Sequence, residues 1–197
     1  MKSFLSVLLM LTCLNAFAMK TGEKAPDFAV ADSKGKIHHL SDYAGKNLVL
    51  EWHNQGCPYV KKHYDSGNMQ KIQKELTEKG FAWLTVISSA KGKQGYVTGK
   101  EADTYVKNKN ANPTAVLLDA DGKMGKAYGA KTTPHMFLID KSSNVVYQGA
   151  IDNNDSSDKE DIATSKNHVT AAANELLAGK KISEDTTRPY GCGVKYE

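Results

Sequence analysis

The sequence predicts an α/β sandwich built on a mixed central sheet. Leu48–Trp52 and Phe81–Ile87 are apolar runs without clean alternation, the pattern of strands covered on both faces. A helical pattern separates them, with Val60, Tyr64, Ile72 and Leu76 at helical spacings. Beyond Leu118, Met136–Ile139 and Val145–Ala150 flank a Ser142-Ser143-Asn144 turn and read as an antiparallel hairpin.

The chain has 197 residues, a length that favours one domain. Residues 1–18 read as a secretory leader, and residues 19–197 as one domain ending in a tail over 182–197. Lys2 starts the leader, Phe4–Leu14 is mostly apolar, and Ala16-Phe17-Ala18 has the small-x-small cleavage pattern. The apolar run is too short to span a membrane, so no stable insertion is expected. The mature protein is expected to be secreted or periplasmic. The formal charge of +4 is spread along the chain, which speaks against nucleic acid as a partner. Cys13 leaves with the leader, and Thr12 before it fits a lipoprotein site poorly. Cys57 and Cys192 remain, in a compartment where disulfides persist.

Lys20–Ala44 is polar and turn-rich, with Phe28–Val30 and Ile37–Leu40 as a small hairpin. His38 and His39 are neighbours on a strand and point to opposite faces, which does not suit one shared ion. Leu48–Trp52 follows as a strand, with Glu51 as its one charge. Tyr59–Lys79 reads as a helix that Ser66-Gly67-Asn68 kinks or splits, and Gly80 stops it. Ser88–Gly99 is a loop. Thr98 and Glu101 form a capping box that opens a helix to about Lys109. Thr114–Leu118 is a third strand, and Met124–Tyr128 a short helix. Asp152–Lys159 is acidic but lacks EF-hand spacing, so it reads as a surface loop. Asn167–Ala178 is the final helix, ended by Gly179.

Cys57 follows the Leu48–Trp52 strand and stands at a helix start, with Pro58 in the first turn where proline is favoured. Free N–H groups and the helix dipole there favour a thiolate, making Cys57 a candidate nucleophile. The competing reading is a buried cysteine that only packs.

These stretches resemble the thioredoxin-like superfamily, specifically exported redoxins of the peroxiredoxin-like (AhpC/TSA-related) group. The likeness covers Gly22–Phe28, Leu48–Val60, Thr133–Asp140 and Arg188–Tyr196. It implies a thioredoxin-like fold with a mixed sheet flanked by helices. It implies that Cys57 is the attacking cysteine and Pro134 a cis-proline facing it, which leaves the preceding backbone free to pair with an extended substrate. It places Glu51 where thioredoxins bury a carboxylate of raised pKa that shuttles a proton; the alternative is a surface residue on an edge strand. Trp52, Asn54, Pro58, Thr133 and His135 fall around Cys57 as candidate substrate-binding residues.

Two departures qualify the likeness. Val60 stands where a CxxC dithiol has its second cysteine. Asn54 stands where peroxiredoxins carry Thr or Ser, and Pro134 falls at the expected arginine position. Cys192, on a glycine-flanked tail free to fold back, is then the candidate resolving cysteine; a fixed staple to Cys57 or a free thiol are the alternatives. The implied activity is thiol oxidoreduction on a protein disulfide or a peroxide, with an external thiol reductant and no cofactor or metal. A reading from another class is a copper-binding or metallochaperone protein using Cys57 and His135.

Overall fold

The computed structural model describes residues 19–197. The expected leader, with Cys13, lies outside the described residues. The described chain opens with an antiparallel hairpin, β1 (Ala29–Ala31) and β2 (Ile37–His39). His38 turns inward and bonds Asp32 (2.9 Å) and Tyr43 (2.6 Å), while His39 is exposed, as their alternation requires.

Next comes β3 (Leu48–Trp52), buried at every position. The expected long helix is two helices, α1 (Pro58–Asp65) and α2 (Asn68–Glu78). Gly67 separates them at φ 76°, a conformation that glycine adopts without a Cβ penalty. β4 (Ala82–Ile87) follows. The capping box opens α3 (Gly99–Asn108): the Thr98 N–H donates to Glu101 at 2.7 Å and the Glu101 N–H to the Thr98 hydroxyl at 3.4 Å. Then come β5 (Ala115–Leu118), α4 (Lys123–Tyr128) and the two-residue strand β6 (Thr132–Thr133). β7 (His135–Ile139) and β8 (Val145–Gly149) form the expected hairpin. α5 (His168–Leu177) closes the helical part, and β9 (Cys192–Gly193) lies in the tail.

The central sheet has the order β5-β4-β3-β7-β8. β3, β4 and β5 run parallel, and β7 lies antiparallel to both β3 and β8. The sheet is mixed because the β3-to-β4 and β4-to-β5 crossovers carry helices, whereas β7 and β8 are joined by a tight turn. Alternating side chains divide the core. Leu48, Leu50, Trp52, Phe137 and Ile139 pack with Met124 and Tyr128 on one face. Val49, Met136 and Leu138 pack with α1, α2 and α5 on the other, and Cys57 belongs to this second cluster.

The tail departs from expectation. It is strapped to the domain rather than loose. The Gln148 N–H donates to the Asp185 carbonyl (3.0 Å), and the Thr187 N–H to the Gln148 carbonyl (3.0 Å). Farther on, the Val194 N–H bonds the Lys131 carbonyl (3.0 Å), the Ala90 N–H bonds that of Lys195 (2.9 Å), and the Tyr196 hydroxyl bonds that of Ala130 (2.8 Å).

Candidate active site

Cys57 is the N-cap residue of α1, in extended conformation, with Pro58 beginning the helix. Asn54 builds the turn before it. Its carbonyl accepts the Cys57 N–H (3.0 Å), its side-chain oxygen accepts the Gly56 N–H (2.9 Å), and its amide donates to Gln94 (2.9 Å). Asn54 is 1% exposed, so it braces the loop from within and does not face a substrate. Pro58 is exposed. Across from Cys57 lies the cis Thr133–Pro134 bond. As a thiol, Cys57 Sγ donates to the Thr133 carbonyl at 3.0 Å.

Burial pushes the Cys57 pKa up. The Cys192 thiol, the N–H groups of Val60 and Cys192, and the Thr133 side chain favour the thiolate and hold the pKa below the ordinary cysteine value. Cys192 moves the other way: burial, and then the bond to Cys57 and its charge, raise its thiol to about 11. One proton is thus retained by Cys192 and directed at Cys57. Both cysteines are free.

The tail brings Cys192 there by pairing strand to strand. β9 lies antiparallel to β6, with Cys192 opposite Thr133 and Gly193 opposite Thr132. Gly191 allows this approach. It sits at φ 127°, and a Cβ on it would lie 2.1 Å from the Thr133 carbonyl oxygen. The glycine beside Cys192 therefore serves close contact, not the mobility expected of it. With the tail in place Cys57 has 0% exposure.

Glu51 is fully buried, and its expected raised pKa is not found. The Tyr64 hydroxyl (2.9 and 3.1 Å), the Trp83 indole N–H (2.9 Å), the Thr85 hydroxyl (3.1 Å) and Gln73 (3.4 Å) all serve its carboxylate, with His53 Nδ1 at 3.2 Å. Burial alone pushes its pKa up; the His53 contact and charge, then Trp83 and Tyr64, outweigh it and hold the pKa below the usual value. This describes an ionised structural hub, not a carboxyl poised to give a proton.

Trp52 and His135 are also corrected. They pair across β3 and β7, so their side chains share a face, the one opposite the Cys57 cluster. Trp52 is 0% exposed and donates its indole N–H to Ser88 (3.0 Å). His135 accepts the Lys131 N–H (3.2 Å) and packs on Phe137 with ring centroids 4.6 Å apart. Burial lowers its pKa to about 3. The Cys57–His135 copper site therefore lacks its geometry. Among the described residues no group of three His, Cys, Asp or Glu side chains converges to hold a metal ion.

A second cluster, not anticipated from the sequence, lies beside the site. Lys62 and His63 of α1 are 1% and 0% exposed, and Asp152, expected on a surface loop, is 2% exposed. Tyr190 of the tail inserts among them. Asn68 donates to His63 Nδ1 (2.8 Å), which leaves Nε2–H to face the Tyr190 hydroxyl (3.3 Å). That hydroxyl donates to the Asp152 carboxylate. Lys62 Nζ donates to the Asn154 carbonyl (3.0 Å), lies 3.8 Å from Asp152, and stands 5.8 Å from the Tyr190 ring centroid. Burial lowers the His63 pKa to about 4, so it is neutral near pH 7. A readable signal existed: His63 stands three residues after Val60, on the apolar face of a helix that begins at the nucleophile.

Comparison with known proteins fits this geometry. The redoxin family model matches residues 20–165, a span that includes Cys57, Pro134 and Asp152 but not Tyr190 or Cys192. The thiol-disulfide oxidoreductase ResA of Bacillus thuringiensis subsp. konkukian is 29% identical over 133 residues, 66% of this chain and 69% of that protein. ResA of Geobacillus thermodenitrificans is 27% identical over 135 residues, 65% of this chain and 68% of that protein. A hypothetical protein of Sinorhizobium meliloti 1021 superposes with a TM-score of 0.77 at 23% identity, over 92% of this chain and 97% of that one. A Chlorobium tepidum protein provisionally assigned as the thiol:disulfide interchange protein DsbE superposes with a TM-score of 0.55 at 28% identity, over 66% and 85%. The fold is thioredoxin-like, and the chain belongs to the redoxin family.

Proposed function

We propose that this protein is an exported thiol–disulfide oxidoreductase in which Cys57 attacks and Cys192 resolves. The observation that carries the reading is that β9 sets Cys192 opposite Thr133, the residue whose carbonyl accepts the Cys57 thiol at 3.0 Å. Cys57 is favoured as thiolate while Cys192, hydrogen-bonded to it, keeps its proton. The name of the ResA relatives, thiol-disulfide oxidoreductase, supports exchange between a thiol and a disulfide, here with a protein disulfide as substrate and an external thiol as reductant. The leader-like residues 1–18 support export.

In the reaction, the Cys57 thiolate attacks one sulfur of a substrate disulfide. A Cys57–substrate disulfide forms and the other substrate sulfur leaves as a thiolate. The charge on Cys57 is now gone, and with it the contribution of that charge to the raised Cys192 pKa. Cys192 gives its proton to solvent and attacks Cys57 Sγ. The bound substrate sulfur leaves and takes up a proton. An external dithiol then reduces the Cys57–Cys192 disulfide and is itself oxidised. Val60 in place of a second motif cysteine supports resolution by the tail.

The test uses reduced Cys192→Ser protein mixed separately with a model disulfide and with hydrogen peroxide, with Cys57 followed by intact mass. Fast mixed disulfide with slow sulfenate is the expected result. Fast sulfenate with slow mixed disulfide would make the protein a peroxidase without the usual Thr and Arg. No fast reaction with either would overturn the redox reading.

A further inference from the structure

We infer that Tyr190–Val194 is a built-in stand-in for the substrate, and that the Thr132-Thr133 edge takes an extended, cysteine-bearing peptide with an aromatic hydroxyl two residues before its cysteine. This rests on the reading of Cys57 as the exchanging thiol. Four observations lead to it.

First, the backbone edge next to cis-Pro134 is already paired with the chain's own β9, in the strand-addition mode by which sheet edges hold extended peptides. Second, the residue set opposite Thr133 is a cysteine, across from the carbonyl that accepts the Cys57 thiol (3.0 Å), the position a reacting substrate sulfur must reach. Third, Gly191 approaches the Thr133 carbonyl so closely that a Cβ has no room, which sets a small residue just before the cysteine. Fourth, Tyr190 fills a socket made by α1 and Asp152. His63 presents a donor to the phenol oxygen, Asp152 accepts the phenol proton, and Lys62 stands near the ring. Tyr59 packs on the same ring with centroids 5.8 Å apart.

The socket is buried and polar, and its partner is a single phenol. An empty socket would strip the buried Asp152 Oδ1 of the phenol donor and leave it only the Asn154 N–H (3.1 Å), a cost that favours either the tail or a ligand that restores the bond. Beside the ring lies a cavity of ≈ 600 Å³ lined by Tyr59, Thr132, Asp152, Arg188, Tyr190 and Gly191. It gives an incoming chain room alongside the tail it displaces. Since Cys57 has no exposed surface with the tail in place, release of the tail must precede attack on any peptide. Specificity and gating then lie in the same contact. A peptide that fits the socket replaces the tail, exchanges its disulfide, and leaves when the tail returns with Cys192.

The test measures alkylation of Cys57 in full-length Cys192→Ser protein. It is compared with the same protein also carrying Tyr190→Phe and, separately, Gly191→Val. Circular dichroism melts establish that each variant is folded. Tyr190→Phe removes the bond to a charged group, and about a tenfold or greater rise in rate is expected. Gly191→Val acts through a different contact, the Thr133 carbonyl, and should raise the rate as well. A synthetic peptide of tail residues 187–195 carrying Cys192→Ser should then slow alkylation of the loosened proteins. The same peptide with Tyr190→Phe should protect less at equal concentration. Equal rates in all three proteins, or equal protection by a scrambled peptide, overturn the stand-in. If rates are equal while disulfide exchange persists, only this inference fails; if exchange is also lacking, the reading of Cys57 fails with it.

Discussion

Removing the Cys192 thiol tests how much of the Cys57 thiolate depends on the tail. In Cys192→Ala the side-chain donor disappears while the backbone donors from Val60 and Cys192 stay. A hydrogen bond to a charged acceptor is worth about 1.5–3 kcal/mol. Cys192 is only partly buried, so water replaces some of the lost bond and the lower figure applies. About 1.4 kcal/mol is a factor of ten. At a pH well below the Cys57 titration, the thiolate fraction should fall roughly tenfold. Cys192→Ser keeps a donor and should recover most of it. The assay is thiolate absorbance against pH, with Cys57 alkylation as a check. In alkylation, the loosened tail and the lost donor act in opposite directions, so absorbance decides. An unchanged or larger thiolate fraction in Cys192→Ala would refute the account of the coupled pair.

Glu51→Gln should destabilise the fold by about 3 kcal/mol or more in urea denaturation, because several buried donors lose a charged acceptor. The pH profile of Cys57 alkylation should stay in place; a shifted profile would restore a proton-shuttling role to this carboxylate. Lys62→Met leaves the buried Asp152 without its cation, and a loss of about 3 kcal/mol is expected, with faster Cys57 alkylation. Acid should weaken the fold through two buried histidines. His63 and His135 titrate at about 4 and about 3 when folded, against 6.5 as the ordinary value. The unfolded chain therefore binds more protons below pH 6.5. Stability is full above that pH and falls as pH drops toward 4, by up to about 1.4 kcal/mol per pH unit for each histidine. Denaturation midpoints that stay level from pH 7 to pH 4 would contradict the buried neutral state of both rings.

The sequence reveals features that local chemistry decides. The strand–turn–Cys57-Pro58 junction, the Thr98–Glu101 box and the break at Gly67 each depend on neighbours a few residues away. The sign of the Glu51 shift does not. Burial and hydrogen-bonding partners oppose each other there, and although His53 lies two residues away, the others come from α1, α2 and β4, so only the fold shows which prevails. Asp152 looks like a solvated charge because its partners, Lys62 and Tyr190, are distant in the chain. His135 follows the cis-proline in sequence, yet strand alternation turns it toward Trp52 and Phe137. The glycines of the tail suggest freedom, whereas Gly191 is there to let two backbones meet.

The most direct measurement oxidises the reduced wild-type protein with one equivalent of a model disulfide and maps its cysteines by mass spectrometry under non-reducing digestion. The account predicts a Cys57–Cys192 disulfide within one chain and release of the free substrate thiol. A substrate adduct persisting on Cys57 beside a free Cys192, or two thiols left untouched, would contradict it.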